Sequence, residues 1–179
     1  FSEQVIPGSD AWTTSIAMGD LDGDHLPEMV EVNYIDDPKA FVARCWGEGF
    51  DCSPRSFSPG RDRILARDDA GRWLPSSLDL AFEDCPNFGF AAIIANFDSL
   101  HGNDLFIAND TRSNHLWMSS ETPSTQRYTL ANEALLRGCA VGANGHEQGC
   151  MGVASGDFNA DGRLDLFVTN YWNEPGNLY

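Results

Sequence analysis

The amino-acid sequence predicts an all-β domain made of β-propeller blades, with about three blades in residues 1–179. Hydrophobic residues make up 42% of the chain, which is a globular composition and not a disordered one. A polar loop of nine residues recurs without gaps, beginning at Asp20, Asn96 and Asp157. Internal repetition of this kind is typical of propellers and solenoids.

Short runs rich in Val, Ile and Phe flank each copy of the loop, and this alternation predicts a strand–loop–strand unit. Three or four short antiparallel strands per repeat are typical of a propeller blade. The strands predicted after the three loops lie at residues 29–34, 105–108 and 166–169, and the further strands at 40–43, 115–118, 127–130 and 177–179.

The repeats divide a single predicted domain, residues 1–179, into three parts. They lie near residues 12–44, 89–131 and 148–179. Residues 45–88 do not repeat, so we predict that they form an insertion on one blade, and such insertions tend to lie on a functional face.

Acidic residues dominate the charge of the chain. It has 27 Asp and Glu against 11 Lys and Arg, a formal net charge of −16, which argues against binding to a nucleic-acid backbone. Such a charge either keeps the protein soluble or places carboxylates around cations, and the positions of the acids decide between these explanations.

The first copy of the loop has the spacing of a calcium site. Asp20, Asp22 and Asp24 occupy its first, third and fifth positions, the carbonyl of Leu26 its seventh, and Glu28 its ninth. Oxygen ligands at these positions of a tight loop converge on one point, and Ca²⁺ takes 6–8 of them in irregular geometry. An all-oxygen set argues against zinc and copper.

The third copy repeats this ligand set, and the second copy lacks part of it. The ligands predicted in the third copy are Asp157, Asn159, Asp161, the carbonyl of Arg163, and Asp165. The second copy has Asn96, Asp98 and Asp104 but Leu100 at the fifth position, so we predict weak calcium binding there or none. His25 stands where the third copy has Gly162, at a position expected to need a positive φ.

Two other structures could explain the same acidic pattern. An EF-hand begins with the same acids, but it needs helices on both sides and Glu at position 12; the third copy has Val168 there, in a strand-like run. A solvated turn is the second alternative, because Asp, Asn and Gly also favour turns for conformational reasons. The first and third loops carry their acids at the same positions, and this repetition favours a calcium loop over a solvated turn.

Five cysteines are present, and two pairs lie close together in the sequence: Cys45 with Cys52 and Cys139 with Cys150. Both pairs lie in glycine-rich stretches with the composition of loops. We therefore predict the disulfides Cys45–Cys52 and Cys139–Cys150 and an oxidising compartment, extracellular or periplasmic. Reduced, buried cysteines are the alternative, and Cys85 has no predicted partner within the chain.

The loop sequences resemble the FG-GAP/VCBS repeat family, whose repeats form blades of integrin-α-type β-propellers. The resemblance rests on Gly19–Asp24 and Gly152–Asn170. The lead-in Gly149–Gly152 and the final Asn177–Tyr179 are most similar to the cartilage acidic protein-like branch, which is common among secreted bacterial proteins. The resemblance covers about residues 15–34, 89–118 and 148–179.

The resemblance implies a secreted propeller that is stabilised by Ca²⁺ and used for adhesion, ligand binding or assembly with other proteins or with copies of itself. Propellers of this kind usually have about seven blades. Three repeats therefore imply either a piece of a larger propeller or a subunit that completes its sheets by assembly.

Two other functions stay open beside this structural or adhesive role. In a carbohydrate-binding lectin, exposed Trp46, Trp73 or Trp117 would stack on sugars. A polysaccharide-degrading enzyme would need a pair of carboxylates, and the sequence singles out no such pair, so no catalytic residue is predicted. No apolar run reaches the length of a membrane span.

Overall fold

The computed structural model describes residue 6 and residues 8–43, 52–100, 102–122 and 127–179, except for the side chain of Arg127. These residues form three antiparallel sheets, which we call the first, second and third sheet. The first sheet contains β1 (Trp12–Gly19), β2 (Glu28–Ile35), β3 (Arg63–Arg67) and β4 (Trp73–Pro75). The second contains β5 (Gly89–Ala95), β6 (Asp104–Asn109), β7 (His115–Thr122) and β8 (Arg127–Asn132). The third contains β9 (Cys150–Gly156), β10 (Asp165–Asn170) and β11 (Asn177–Leu178).

Each sheet is a meander in which strands that follow one another in the chain lie side by side. The all-β prediction is confirmed. The first two strands of each sheet are paired up to the two residues that border the polar loop. These bordering pairs are Gly19 with Glu28, Ala95 with Asp104, and Gly156 with Asp165.

The first sheet differs from its sequence prediction. Residues 40–43 are not a strand, because Pro38–Phe41 forms a short 3₁₀ helix whose first turn is capped by the Asp37 carboxylate. Proline fits the first turn of a helix and cannot donate to a strand ladder. The third and fourth strands, Arg63–Arg67 and Trp73–Pro75, instead come from the range predicted as an insertion.

Hydrophobic side chains between neighbouring sheets form the core. One cluster joins the first and second sheets, and a second cluster joins the second and third. The first cluster includes Leu21, Val30, Val32, Ile64, Phe82, Leu105, Ile107 and Trp117. The second includes Phe106, Ala108, Leu116, Met118, Cys139, Cys150, Leu166 and Val168.

Strand β6 is buried on both faces, because it lies in the middle of this stack. Leu105 and Ile107 pack toward the first sheet, whereas Phe106 and Ala108 pack toward the third. Alternate side chains of a strand point to opposite faces, so a strand with two buried faces is hydrophobic throughout. The third sheet is different, because Phe167 of its middle strand β10 is 46% exposed.

In each sheet, an asparagine near the end of the second strand donates a hydrogen bond to the backbone of the segment that follows the strand. Asn33 donates its side-chain amide to the Arg61 carbonyl over 2.7 Å, and its backbone N–H donates to Asp62 Oδ1 over 2.8 Å. Asn109 and Asn170 end β6 and β10, and their side-chain amides also donate to a backbone carbonyl of the following turn. The buried Asp62 is peculiar to the first sheet.

Replacing Asp62 with Asn is expected to reduce the loss of stability as pH rises. Burial raises the pKa of the Asp62 carboxyl from 3.8 to about 7. The folded state therefore holds this proton more tightly than the unfolded state, and the wild type loses stability as pH rises through that window. Urea midpoints of D62N and wild type at several pH values, at one calcium concentration, test this. Parallel pH profiles would contradict it.

Candidate metal centre

The first polar loop brings three of its predicted ligands together. Asp20, Asp22 and Glu28 each offer a carboxylate oxygen, and these three oxygens lie within 4.8 Å of one another. This is the only such group of three acidic, histidine or cysteine side chains in the described part of the chain. Asp24 is not a member of it; its Oδ1 accepts a hydrogen bond from Leu26 N over 2.7 Å.

Backbone N–H groups hold the Asp20 carboxylate within the loop. Gly23 N donates to Asp20 Oδ1 over 2.7 Å, and His25 N donates to Asp20 Oδ2 over 3.0 Å. Gly23 has φ 81°, and a Cβ there would lie 2.4 Å from the ring of Tyr128. The loop therefore requires glycine at its fourth position for both its backbone conformation and its packing.

Glu28 is the buried acid of the loop. It is 1% exposed, and its Oε2 accepts hydrogen bonds from Leu21 N over 2.7 Å and from Asp22 N over 3.3 Å. Burial raises the pKa of Glu28 to about 7, and the nearby carboxylates of Asp22 and Asp24 also raise it. Burial likewise raises the pKa of Asp22. Burial therefore makes ionisation of Glu28 and Asp22 costly, and the neighbouring carboxylates add to that cost.

The donor set of the first loop fits a hard divalent cation. Its three convergent groups are carboxylates, which are preferred by Ca²⁺ and Mg²⁺ and not by soft metals. Among the described residues, the basic side chain paired with these acids is His25, whose Nδ1 lies 3.7 Å from Asp20 Oδ2 and which is 96% exposed. A bound cation would offset the repulsion between the carboxylates of Asp20, Asp22 and Glu28.

The third loop repeats the hydrogen bonds of the first but is more open. Asp165 Oδ2 accepts from Phe158 N over 2.8 Å, as Glu28 accepts from Leu21 N, and Gly162 N donates to Asp157 Oδ2 over 2.8 Å. Asp161 accepts from Arg163 N over 2.9 Å and from its guanidinium over 3.1 Å. Asn159 Oδ1 accepts from Asp161 N over 2.9 Å. The predicted ligands share one loop without the close approach seen in the first.

An arginine from outside the second loop approaches one of its acids, although its closer partner is Glu133 at 2.8 Å. Arg137 Nη2 lies 3.9 Å from Asp98 Oδ2. Asp104 accepts from Phe97 N and from Ser119 N, each over 2.9 Å, and the amide nitrogen of Asn96 donates to the Leu100 carbonyl. The guanidinium brings positive charge to a loop that lacks an acid at its fifth position, and weak calcium binding or none stays a prediction there.

The first and third loops share two left-handed backbone positions, and the second loop shares the fourth. The sixth position was predicted to have positive φ, and this is confirmed for His25 at 71° and Gly162 at 84°. The fourth position is also left-handed, in Gly23, Ser99 and Ala160. Only Gly23 signalled this in the sequence, since Ser and Ala rarely adopt such a conformation.

The predicted Cys139–Cys150 disulfide is wrong. Both thiols are free and buried, in the cluster between the second and third sheets. Burial raises the pKa of each to about 11, so they pack as small neutral side chains. Cys52 is disulfide-bonded, but its predicted partner Cys45 lies outside the described residues, so that pairing stays a prediction.

The tryptophans considered for sugar stacking lie inside the fold where the structure describes them. Trp73 and Trp117 are 9% and 4% exposed, and each belongs to a hydrophobic cluster. Trp46 lies outside the described residues. Neither Trp73 nor Trp117 is therefore exposed enough to stack on a sugar.

Comparison with known proteins adds no relative. No protein-family model matches the chain, and no curated protein matches it either. The resemblance to FG-GAP/VCBS repeats therefore stays a prediction from the sequence. Within the described ranges, the structure contains no helix long and apolar enough to cross a membrane.

Proposed function

We propose that this chain is a secreted calcium-binding β-propeller module with a structural, adhesive or assembly role. The observation that carries the proposal is the convergence of Asp20, Asp22 and Glu28 within 4.8 Å in a loop whose hydrogen bonds recur in the third sheet. A Ca²⁺ ion in each of these two loops would draw carboxylates together that otherwise repel one another, so binding would couple to folding.

The packing of the sheets supports the propeller. The side chains of β2 and β6 that face the next sheet in the chain, such as Val30 and Phe106, are buried. The equivalent Phe167 of the third sheet lines an open cavity of about 460 Å³ together with Phe158 and Leu178. A further sheet packed on this face would bury these side chains in the same kind of hydrophobic contact that joins the three sheets to one another. The proposed partners are accordingly other protein chains or copies of this one, with extracellular glycans as the alternative.

Calcium titration calorimetry tests the proposed sites, and we expect two ions per chain. D20N/D22N and D157N/D161N should each remove one ion, because each pair deletes two carboxylates from one loop. D98N is the matched control. It should leave both ions bound, because Asp98 lies in the second loop, where Arg137 Nη2 is 3.9 Å from its carboxylate and no ion is proposed.

Magnesium should bind more weakly than calcium, because it requires a tighter octahedron and keeps its water. Circular dichroism of each variant in excess calcium would verify that the sheets persist. No calcium uptake by the folded wild type, or uptake unchanged in both double variants, would refute the proposed sites.

A further inference from the structure

A second candidate site lies at the opposite ends of the strands from the polar loops. A cavity of about 400 Å³ is lined there by residues from all three sheets, a size typical of small-molecule sites. Tyr34 belongs to β2, whereas Asp110 and Tyr171 directly follow β6 and β10. These three residues occupy equivalent positions, each next to the repeated asparagine. Phe90, Thr111 and Met151 also line the cavity.

A buried acid lies in the wall of this cavity. Asp110 is 7% exposed, and its Oδ2 accepts a hydrogen bond of 2.5 Å from the hydroxyl of Tyr34. The Phe90 ring lies 5.6 Å from the Tyr34 ring and perpendicular to it. Phe88 packs against Tyr34 from another direction at 5.9 Å. The acid and the aromatic wall are therefore held in place by their neighbours.

Thr111 is strained at the same place. Its φ is 58°, a left-handed conformation that is a genuine outlier for a β-branched residue. Its N–H donates to the Gln148 carbonyl over 2.9 Å, and its carbonyl accepts from Arg55 Nε over 3.0 Å, which holds the backbone in this form. Its hydroxyl is buried without a hydrogen-bond partner in the described part of the chain. Strain and an unpaired polar group together are typical of a binding site.

Carboxylates of the described residues lie in and near the cavity wall. Asp110 lines the cavity, and the guanidinium of Arg55, which contacts the Thr111 carbonyl, is paired with Glu147 over 2.6 Å. Glu174 approaches from the third sheet, where its Oε2 accepts from Gly149 N over 2.8 Å. Burial raises the pKa of Asp110 and outweighs the hydrogen bond from Tyr34, which lowers it; the carboxylate of Glu174 raises it further and the guanidinium of Arg55 lowers it. Keeping Asp110 ionised is therefore costly, and a positive charge in the cavity would offset the cost.

We propose that this cavity binds an organic ammonium cation. Tyr34, Phe90 and Tyr171 supply aromatic surface, on which a cation is attracted to the ring faces. Asp110 supplies the opposite charge, and the Thr111 hydroxyl supplies a polar contact. A neutral sugar would gain nothing from the charge of Asp110, and an anion would be repelled by it. This site is independent of the proposed calcium loops.

Choline and tetramethylammonium are the probes, titrated calorimetrically into the full chain in calcium. We expect both to bind. The neutral carbon isostere of choline, in which carbon replaces the quaternary nitrogen, should bind at least tenfold more weakly because it lacks the charge. D110N keeps an acceptor for the Tyr34 hydroxyl and should lose roughly tenfold in choline affinity.

Y171L should weaken choline binding by a similar factor of roughly ten. Tyr171 is 63% exposed, so its replacement is not expected to unfold the protein. F41L is the matched control, because Phe41 is 72% exposed and does not line the cavity. It should bind choline as the wild type does. Melting curves of all variants would verify folding.

The proposal would be overturned by no binding of either cation, by equal binding of choline and its neutral isostere, or by binding of a sugar such as methyl mannoside in place of the cations. Unchanged choline affinity in folded D110N and Y171L would also overturn it, since the cation would then bind elsewhere.

Discussion

Chelation of calcium with excess EDTA is expected to lower the melting temperature of the protein by roughly 10 to 20 °C. A ligand at about 100 times its Kd stabilises the folded state by about 2.7 kcal/mol per site. Two proposed sites give about 5 kcal/mol, and each kcal/mol shifts the melting temperature of a domain of this size by about 2–4 °C. Differential scanning fluorimetry with and without EDTA measures the shift.

The reference for this experiment is the variant D20N/D157N, which loses the first ligand of both complete loops. Its melting temperature should hardly respond to EDTA. Calcium should restore the wild type after chelation, and magnesium should restore it less. Equal melting temperatures of the wild type with and without EDTA would show that the acidic loops are solvated turns.

Replacing Leu21 with Ala is expected to cost about 2–5 kcal/mol of unfolding free energy, as large-to-small changes in a core do. Leu21 is fully buried between the first and second sheets, although it is the second residue of a polar loop. Its N–H also donates to Glu28. Urea denaturation in calcium, with the midpoint and slope compared to those of the wild type, measures the loss.

The repeat provides a matched control for this prediction. Phe158 is the equivalent second residue of the third loop and is 79% exposed. Phe158→Ala should change stability by no more than about 0.5 kcal/mol, because an exposed side chain loses little burial when truncated. A large loss of stability in F158A that depends on protein concentration would mean that another copy of the chain covers Phe158 in solution.

Local sequence was informative wherever neighbouring residues determine the conformation. The run Asp104–Asn109 reads as a buried strand because its hydrophobic residues alternate between two packed faces. The positions of the loops could be predicted because Asp and Asn side chains accept hydrogen bonds from N–H groups a few residues further along. Asp20 accepts from Gly23 in this way, and Asp157 accepts from Gly162. These contacts need no distant partner.

Residues that meet from distant parts of the chain were missed. Arg137 reaches the second loop from almost forty positions away, and no local pattern signals that its guanidinium lies near Asp98. Tyr34 and Asp110 belong to different repeats, so their hydrogen bond forms only when the first and second sheets pack. The cysteine prediction failed for the same reason, because spacing cannot tell whether Cys139 and Cys150 pack in a core or bond to each other.

The amino-acid sequence by itself determined the all-β class and the three repeated loops, and it supplied the proposed ligand positions within them, because strand alternation and acid spacing are properties of adjacent residues. Only the tertiary structure decided which strands complete the first sheet, which loop draws its carboxylates together, and which aromatic and acidic side chains surround the second cavity. Those outcomes depend on how three sheets pack, and packing joins residues whose separation in the chain carries no signal of their contact.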